Sequence, residues 1–451
     1  MTARWTIGGQ SPVNVGPRAL RYPWRGVVDL LLVLAVVALM SLSDYALEFF
    51  GIPYNSLGGS IISKIHPATY LLAVALGLAV IGNPNPVVYV LGLLGRCLGS
   101  ALLLVASILM WVFIARNKPG YSASFLIDTL IAASLIVMLF ADAGNKARLI
   151  VARLVHCIMV VNCMLSIVEG LTGWRLFPFV LGGHEQTWEY RATALLGHPL
   201  IGGLVTGVYA VILLTVHDVR GLGERWRWPI LLLCMAAMPF IGSRTAFVIV
   251  VVTAAAVAGL RVLRFLRGEP IDTRKLLALL VLAPLGVVVL AILFQQGLFD
   301  NFIGRFLNDN NSAQTRFRLY DLFDNLNMYD LFVGQSFVVL DTNVRLNGLS
   351  EGIENSWAGH LLRYGVVMSV VLWCGVAAWF GDVLRAAGRA GILPLVFVFL
   401  VISTTTGISA KSSMLTIPAV LILSLVARVP QEEAARVDNA LLSRIGSRFR
   451  A

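Results

Sequence analysis

Charged side chains are scarce in this sequence. Only 13% of its 451 residues are Asp, Glu, Lys or Arg, while 58% are hydrophobic. A soluble globular protein carries about 25% charged and about 45–50% apolar residues. Halving the charge removes the material that covers a water-facing surface. The length alone suits two or three soluble domains, and the composition overrides that reading. Cysteine is scarce too. Cys97, Cys157, Cys163, Cys234 and Cys374 all lie in apolar runs, with neither CxxC nor metal-ligand spacing. A disulfide framework and a cysteine metal centre are therefore not expected. The chain also lacks a Walker A run, an HExxH and a GxSxG, which removes the nucleotide, zinc-peptidase and serine-hydrolase chemistries those motifs carry. No fixed-period repeat stands out, which counts against transporter folds built from two related halves. The tail bearing Arg4, Arg18, Arg21 and Arg25 shows no small-residue cleavage site after a short apolar core. The first apolar run is thus expected to stay as an uncleaved helix.

What is present is a series of separate apolar runs, each near the roughly 20 residues that cross a hydrocarbon core. Spans are expected at 26–44, 67–83, 97–115, 124–141, 148–168, 197–216, 229–242, 243–262, 275–296, 357–380, 393–407 and 413–429. Residues 84–96 are ambiguous and could lengthen the third. The expected fold is all-α: a polytopic integral membrane protein of about twelve transmembrane helices. Its parts are an N-tail (1–25), nine helices (26–296), a long loop (297–356), three helices (357–429) and a C-tail (430–451). The net charge of +11 does not indicate nucleic acid, because the basic residues are spread over tails and short loops. They are also biased. Segments of the N-tail's parity hold 22 Lys and Arg; the short loops of the other parity hold seven. The positive-inside rule then places both termini in the cytoplasm. The loop at 169–196 and the long loop at 297–356 face outward. The long loop carries eight acidic residues against four Arg, with Phe, Leu, Tyr and Val throughout. It is expected to fold as short helices over the membrane face.

Several polar residues fall on the outward side. Arg191 precedes Ala192-Thr193-Ala194-Leu195-Leu196-Gly197-His198-Pro199. Arg244 sits in Gly242-Ser243-Arg244-Thr245, between two apolar runs. Arg316 and Arg318 lie within the long loop, and His360 and Arg363 near the start of the tenth span. A charge beside hydrocarbon costs a few kcal/mol or more, so Arg244 is paired, functional or snorkelling to the interface. Arginine offers a rigid multi-donor fork that stays charged, which suits a diphosphate. Arg191, Arg244 and Arg316 together could stabilise such a leaving group without a metal. Glu354, followed by Asn355, stands at the mouth of the tenth span. Glu354 reads either as a base that accepts a sugar hydroxyl proton or as a helix-start carboxylate favoured by the dipole. His198 reads more simply as a helix-start residue than as a catalyst. Asp44 and Glu48, one turn apart, read more simply as an exposed helix end than as metal ligands.

Three stretches resemble the O-antigen ligase and polymerase superfamily of bacterial envelope biogenesis. Arg191 through Gly203 (RATALLGHPLIGG) is similar to the family's "R…G–N–P…G" start of a span, with His198 in place of Asn. Ile241 through Ala246 (IGSRTA) is similar to its Ser-Arg turn. Thr315 through Gly334, then Glu354 through Gly365 (ENSWAGHLLRYG), resemble the end of its periplasmic loop and the following helix. Arg316 and Tyr320 match an Arg placed four residues before an aromatic, and Leu331 and Gly334 match "Leu–x–x–Gly". Glu354 stands where the family has His in "His–Asn–x–aromatic". The resemblance covers roughly residues 185–430 and includes the long loop between spans nine and ten.

The resemblance implies metal-independent, cofactor-free glycosyl transfer at the bacterial inner membrane, from undecaprenyl diphosphate to an acceptor glycan hydroxyl. It implies that Arg191, Arg244 and Arg316 contact the diphosphate, with Arg318, His198, Asn355, His360 and Arg363 among the substrate-binding candidates. Glu354 and Arg244 are the catalytic candidates. Membrane lipid and a chain-length regulator are the other expected partners. Glu354 in the His position favours a polymerase of lipid-linked repeats, in O-antigen or exopolysaccharide synthesis, over a ligase to lipid A core. A glycolipid transporter or flippase is the alternative from another class, with His156 and Asp128 as its ionisable candidates.

Overall fold

The structure is a computed structural model. It describes residues 24–56, 58–178, 180–181, 184–185, 191–268, 295, 304, 312–324, 326–349 and 353–426. The expected ninth span, most of both tails and the first part of the long loop lie outside the described residues.

Helix dominates. The chain forms α1 (Arg25–Ser41), α2 (Asp44–Phe49), α3 (Pro67–Ile81), α4 (Pro86–Arg96) and α5 (Leu98–Asn117). A single π-helical turn, Leu126–Ile131, leads into α6 (Ala132–Asp142). Then follow α7 (Asn145–Thr172), α8 (Pro199–Thr215), α9 (Glu224–Ile241) and α10 (Arg244–Leu266). A two-residue antiparallel pair, Val180–Leu181 with His184–Glu185, lies between α7 and α8. The long loop contributes α11 (Ser312–Asp321), α12 (Met328–Val333) and α13 (Phe337–Leu346). The chain continues through α14 (Ser356–Ala387), α15 (Ile392–Ser403) and α16 (Thr416–Leu425).

Four helical stretches are long and apolar enough to cross a membrane by length and composition: Leu98–Asn117, Asn145–Thr172, Arg244–Leu266 and Ser356–Ser403. The last contains α14 and α15. In hydrocarbon each backbone N–H and C=O must be satisfied within its own segment, and apolar sequences therefore fold there as helices. The outward faces agree with a lipid setting. Leu102, Val105, Leu109 and Trp111 of α5 and Val248, Val252, Leu260 and Leu263 of α10 are all exposed. Exposed apolar area of that extent does not persist in water.

Sequence and structure differ at several boundaries. Residues 84–96 do not lengthen the third span. They form α4, which the non-helical Cys97 (φ −123°, ψ 48°) separates from α5. The seventh expected span starts five residues early, at Glu224, because Arg225, Trp226, Arg227 and Trp228 prolong α9. The tenth runs on to Ala387, and Gly388 (φ 64°) ends it. Within α14, Gly365 (φ 72°, ψ 175°) breaks the helical path.

One large apolar cluster joins α1, α3 to α10 and α14 to α16, with α8 buried along almost its whole length. A smaller cluster, Leu319, Leu322, Leu340, Leu349, Ile353 and Leu362, gives the described part of the long loop its own core against the start of α14. The described part of the expected long loop is thus made of short helices.

Candidate functional site

Helix direction alternates, so the loops after α1, α5, α7, α9 and α15 gather at one end of the bundle, together with α11 to α13. Arg191 and Arg244 belong to that end. The Ala192 amide donates to the Phe240 carbonyl (2.9 Å), which ties the residue after Arg191 to the last turn of α9. Gly242 (φ 71°) then reverses the chain, and Ser243 leads into α10, whose first residue is Arg244. A Cβ on Gly203 would lie 2.2 Å from that of Ser243. The glycine thus allows α8 to close on the turn. The helix dipole puts partial positive charge where Arg244 stands.

Glu169 fixes the Arg191 segment. Its buried carboxylate accepts from the amides of Leu176 (3.0 Å), Thr193 (2.8 Å) and Ala194 (2.8 Å). Asn162 Oδ1 accepts from the Leu195 amide (3.2 Å). Ala194 is the non-glycine residue held at positive φ (43°) among those described. Non-glycine residues in that region cost of order 1–3 kcal/mol and persist where the surroundings over-determine them. The sequence reading passed over Glu169. The available signal was a carboxylate in the last turn of a long apolar helix, where the dipole disfavours it.

A second polar cluster lies at the same end. Asp128, buried on the π-turn, accepts from Tyr54 Oη (2.8 Å), Thr69 Oγ1 (2.7 Å) and the His66 amide (3.1 Å). The Lys411 ammonium lies 3.1 Å from the Tyr54 ring centroid and donates to the Tyr54 carbonyl (2.9 Å). Burial pulls Lys411 down to about 8, against the pull of the Asp128 charge. Burial, then the Asp128 charge, push the Tyr54 hydroxyl up. Asp44 lies beyond the end of α1 and accepts from Asn55 Nδ2 (3.0 Å), and burial raises its carboxyl to about 6. Glu48 accepts the amides of Asn55 and Ser56. Asp44 and Glu48 thus hold the 50–56 turn. Among the described residues no group of three or more His, Cys, Asp or Glu side chains is arranged to hold a metal.

The other sequence candidates have definite placements. His198 is the N-cap of α8: Nδ1 accepts from the Leu200 amide (3.1 Å). Asn355 caps α14, accepting from the amides of Trp357 (2.9 Å) and Ala358 (3.1 Å). The helix-start role considered for Glu354 therefore belongs to Asn355, one residue on, and Glu354 lies half-buried just outside the helix. His360 is fully buried between Ile408 O (3.2 Å from Nε2) and Trp373 Nε1 (3.4 Å from Nδ1). Both its nitrogens are occupied by protein, which fits a core histidine better than a substrate ligand. Arg363 donates to the Ser409 carbonyl (3.3 Å) and joins α14 to the loop after α15. The Arg318 guanidinium lies over Gly348, where a Cβ would come within 2.8 Å of Nη1. Arg316 falls on α11, and its side chain lies outside the described residues. His156, a transporter candidate, sits at the opposite end, between Tyr209 Oη (2.7 Å) and Arg220 O (3.0 Å).

The Ala192–Phe240 bond and the Gly242 turn therefore bring the backbone segments that carry Arg191 and Arg244 together at this end of the bundle. A scan of protein-family models and a search of curated proteins find no match to this chain.

Proposed function

We propose that the chain is a membrane glycosyltransferase that polymerises lipid-linked oligosaccharide repeats of a bacterial surface polysaccharide. It transfers glycan from undecaprenyl diphosphate to an acceptor sugar hydroxyl on the outer face of the inner membrane. One observation carries this reading. The Ala192–Phe240 hydrogen bond and the Gly242 turn bring two arginines from separate parts of the chain, Arg191 and Arg244, to one end of the bundle. Two guanidinium forks beside an apolar surface suit a polyprenyl diphosphate, with its anionic head and hydrocarbon tail. Each hydrogen bond to a charged group contributes about 1.5–3 kcal/mol. Such groups act most strongly on charge that develops as the diphosphate leaves.

Glu354 is the candidate base, at the mouth of α14, on the side covered by α11 to α13. Arg244→Ala tests the proposal. The variant should reach the membrane at wild-type level and keep its thermal midpoint, while glycans stay at a single repeat. Normal chain lengths would overturn the reading. A ligase to lipid A core would show itself in the same cells through long polymer left on the lipid carrier.

A further inference from the structure

The opposite end of the bundle carries a cavity that the proposed glycosyl transfer does not use. Its volume is about 150 Å³. It opens where α4, α6 and α14 end and where α5 and α7 begin, the end that the Lys and Arg bias assigns to the cytoplasm. Three guanidinium groups line it, from Arg96, Arg148 and Arg385, with the single carboxylate of Asp382. Phe140 and Leu423 are among its apolar walls.

The protein already fixes these charges. Asp382 is buried, accepting from the Ser100 amide and hydroxyl (2.6 and 3.1 Å) and from Arg385 Nη1 (2.9 Å). Arg148 donates to the carbonyls of Ala143 (3.2 Å) and Phe140. Arg96 reaches Asp142 at 3.8 Å and the Gly92 and Ala141 carbonyls at 3.4 and 3.5 Å. The outer two keep much of their surface open, with side-chain exposures of 50% for Arg96 and 66% for Arg385. The lining itself holds three cations and one anion, with Asp142 beside Arg96 at its edge. Guanidinium-bearing side chains from three helix ends therefore line one space with an apolar wall.

We infer that this cavity is a binding site for the phosphate group of an anionic membrane lipid, with Arg96 and Arg385 as donors and the apolar wall against the glycerol and upper acyl chain. Basic pockets between transmembrane helices on the cytoplasmic side suit such headgroups. Arginine suits the phosphate because its fork can donate two bonds at once. The inference needs the chain to lie in a bilayer, and it does not depend on the glycosyl-transfer reading.

The test uses full-length protein in nanodiscs of phosphatidylcholine, with phosphatidylglycerol titrated in and the thermal midpoint as readout. Inorganic phosphate is titrated in parallel to separate a lipid source from a soluble one. The wild type should gain stability with phosphatidylglycerol. Arg96→Gln with Arg385→Gln should weaken the apparent affinity by about tenfold or more, the equivalent of losing one charge-assisted bond. Arg116→Gln, at the other end of the bundle, should respond as the wild type does. A response to inorganic phosphate that the double variant loses would keep the site and assign it a soluble phosphate. An equal phosphatidylglycerol response in wild type and double variant, or no response at all, would overturn the inference. Should the double variant not fold, Arg385→Gln alone carries the same test, since Ser100 still holds Asp382.

Discussion

At the residue scale, buried carboxylates that bind backbone amides organise the polar end. Glu169 holds three amides of two segments, and without it the buried amides of Thr193 and Ala194 and the half-buried amide of Leu176 would lose their acceptor. Each orphaned buried donor costs about 1–3 kcal/mol. Glu169→Ala should therefore destabilise the protein by about 3 kcal/mol or more, and Glu169→Gln, which keeps one carbonyl acceptor, by less. Thermal unfolding in detergent checks both, and an unchanged midpoint for the Ala variant would remove Glu169 as the anchor of the Arg191 segment. Lys411 gives a pH-dependent counterpart. Its folded-state value of about 8 lies below its ordinary 10.5. Between the two, the unfolded chain binds more protons than the folded one, so stability rises with pH across that window. The wild-type thermal midpoint should climb relative to that of Lys411→Met from pH 8 to 10. Parallel curves would show that the ammonium is not held in this partly desolvated position.

At the element scale, two glycines decide how the long loop docks. Gly334 (φ 86°) ends α12, and Gly365 (φ 72°) kinks α14. A Cβ on Gly334 would lie 2.4 Å from the Arg363 carbonyl oxygen, and one on Gly365 would lie 2.2 Å from that of Phe332. Their backbones meet with no room for a side chain. The kink also frees the Leu362 carbonyl, which accepts the Gln335 amide (2.8 Å). Lys118 then donates to the carbonyls of Gly334 and Gln335. Gly365→Ala would add left-handed strain of about 1–2 kcal/mol to an overpacking cost of about 1–3 kcal/mol. It should loosen α11 to α13 from the bundle, and faster proteolysis between residues 312 and 349 would report it. Unchanged cleavage would show that the crossing tolerates a methyl group. Helix starts follow a second rule. Asn85, His66 and His198 each precede a proline, and each caps the next helix with its own side chain. His198 caps α8 with Nδ1 as the acceptor.

At the scale of the whole molecule, the two ends of the bundle differ in character. One carries Glu169, Asp128, Lys411, Arg191 and Arg244, and the short helices α11 to α13 belong to the same end. The other gathers Arg96, Arg148, Arg385 and Asp382 around a cavity. The positive-inside reading of the sequence expects the first to face outward. In a background lacking the five native cysteines, Ser122→Cys should react with a membrane-impermeant maleimide added to intact spheroplasts, and Lys146→Cys only after lysis. Both residues are exposed, at opposite ends. The reverse pattern would invert the topology and place Arg244 in the cytoplasm, which would remove a donor that is displayed outside.

By itself the sequence determined the helical class and the apolar runs that become the four helical stretches long enough to cross a membrane. Those follow from local composition: an apolar run of membrane length has one way to satisfy its backbone, and charge in the connecting loops sets direction. The sequence also marked Gly334 and the arginines Arg191 and Arg244, though not their partners. Only the tertiary structure decided that α4 is separate from α5, that Asn355 rather than Glu354 caps α14, that His360 is a core residue, and that Glu169 and Asp128 anchor loops. Each depends on which atoms meet across segments tens to hundreds of residues apart. Hydropathy along the chain sums over neighbours in sequence and carries no record of such meetings.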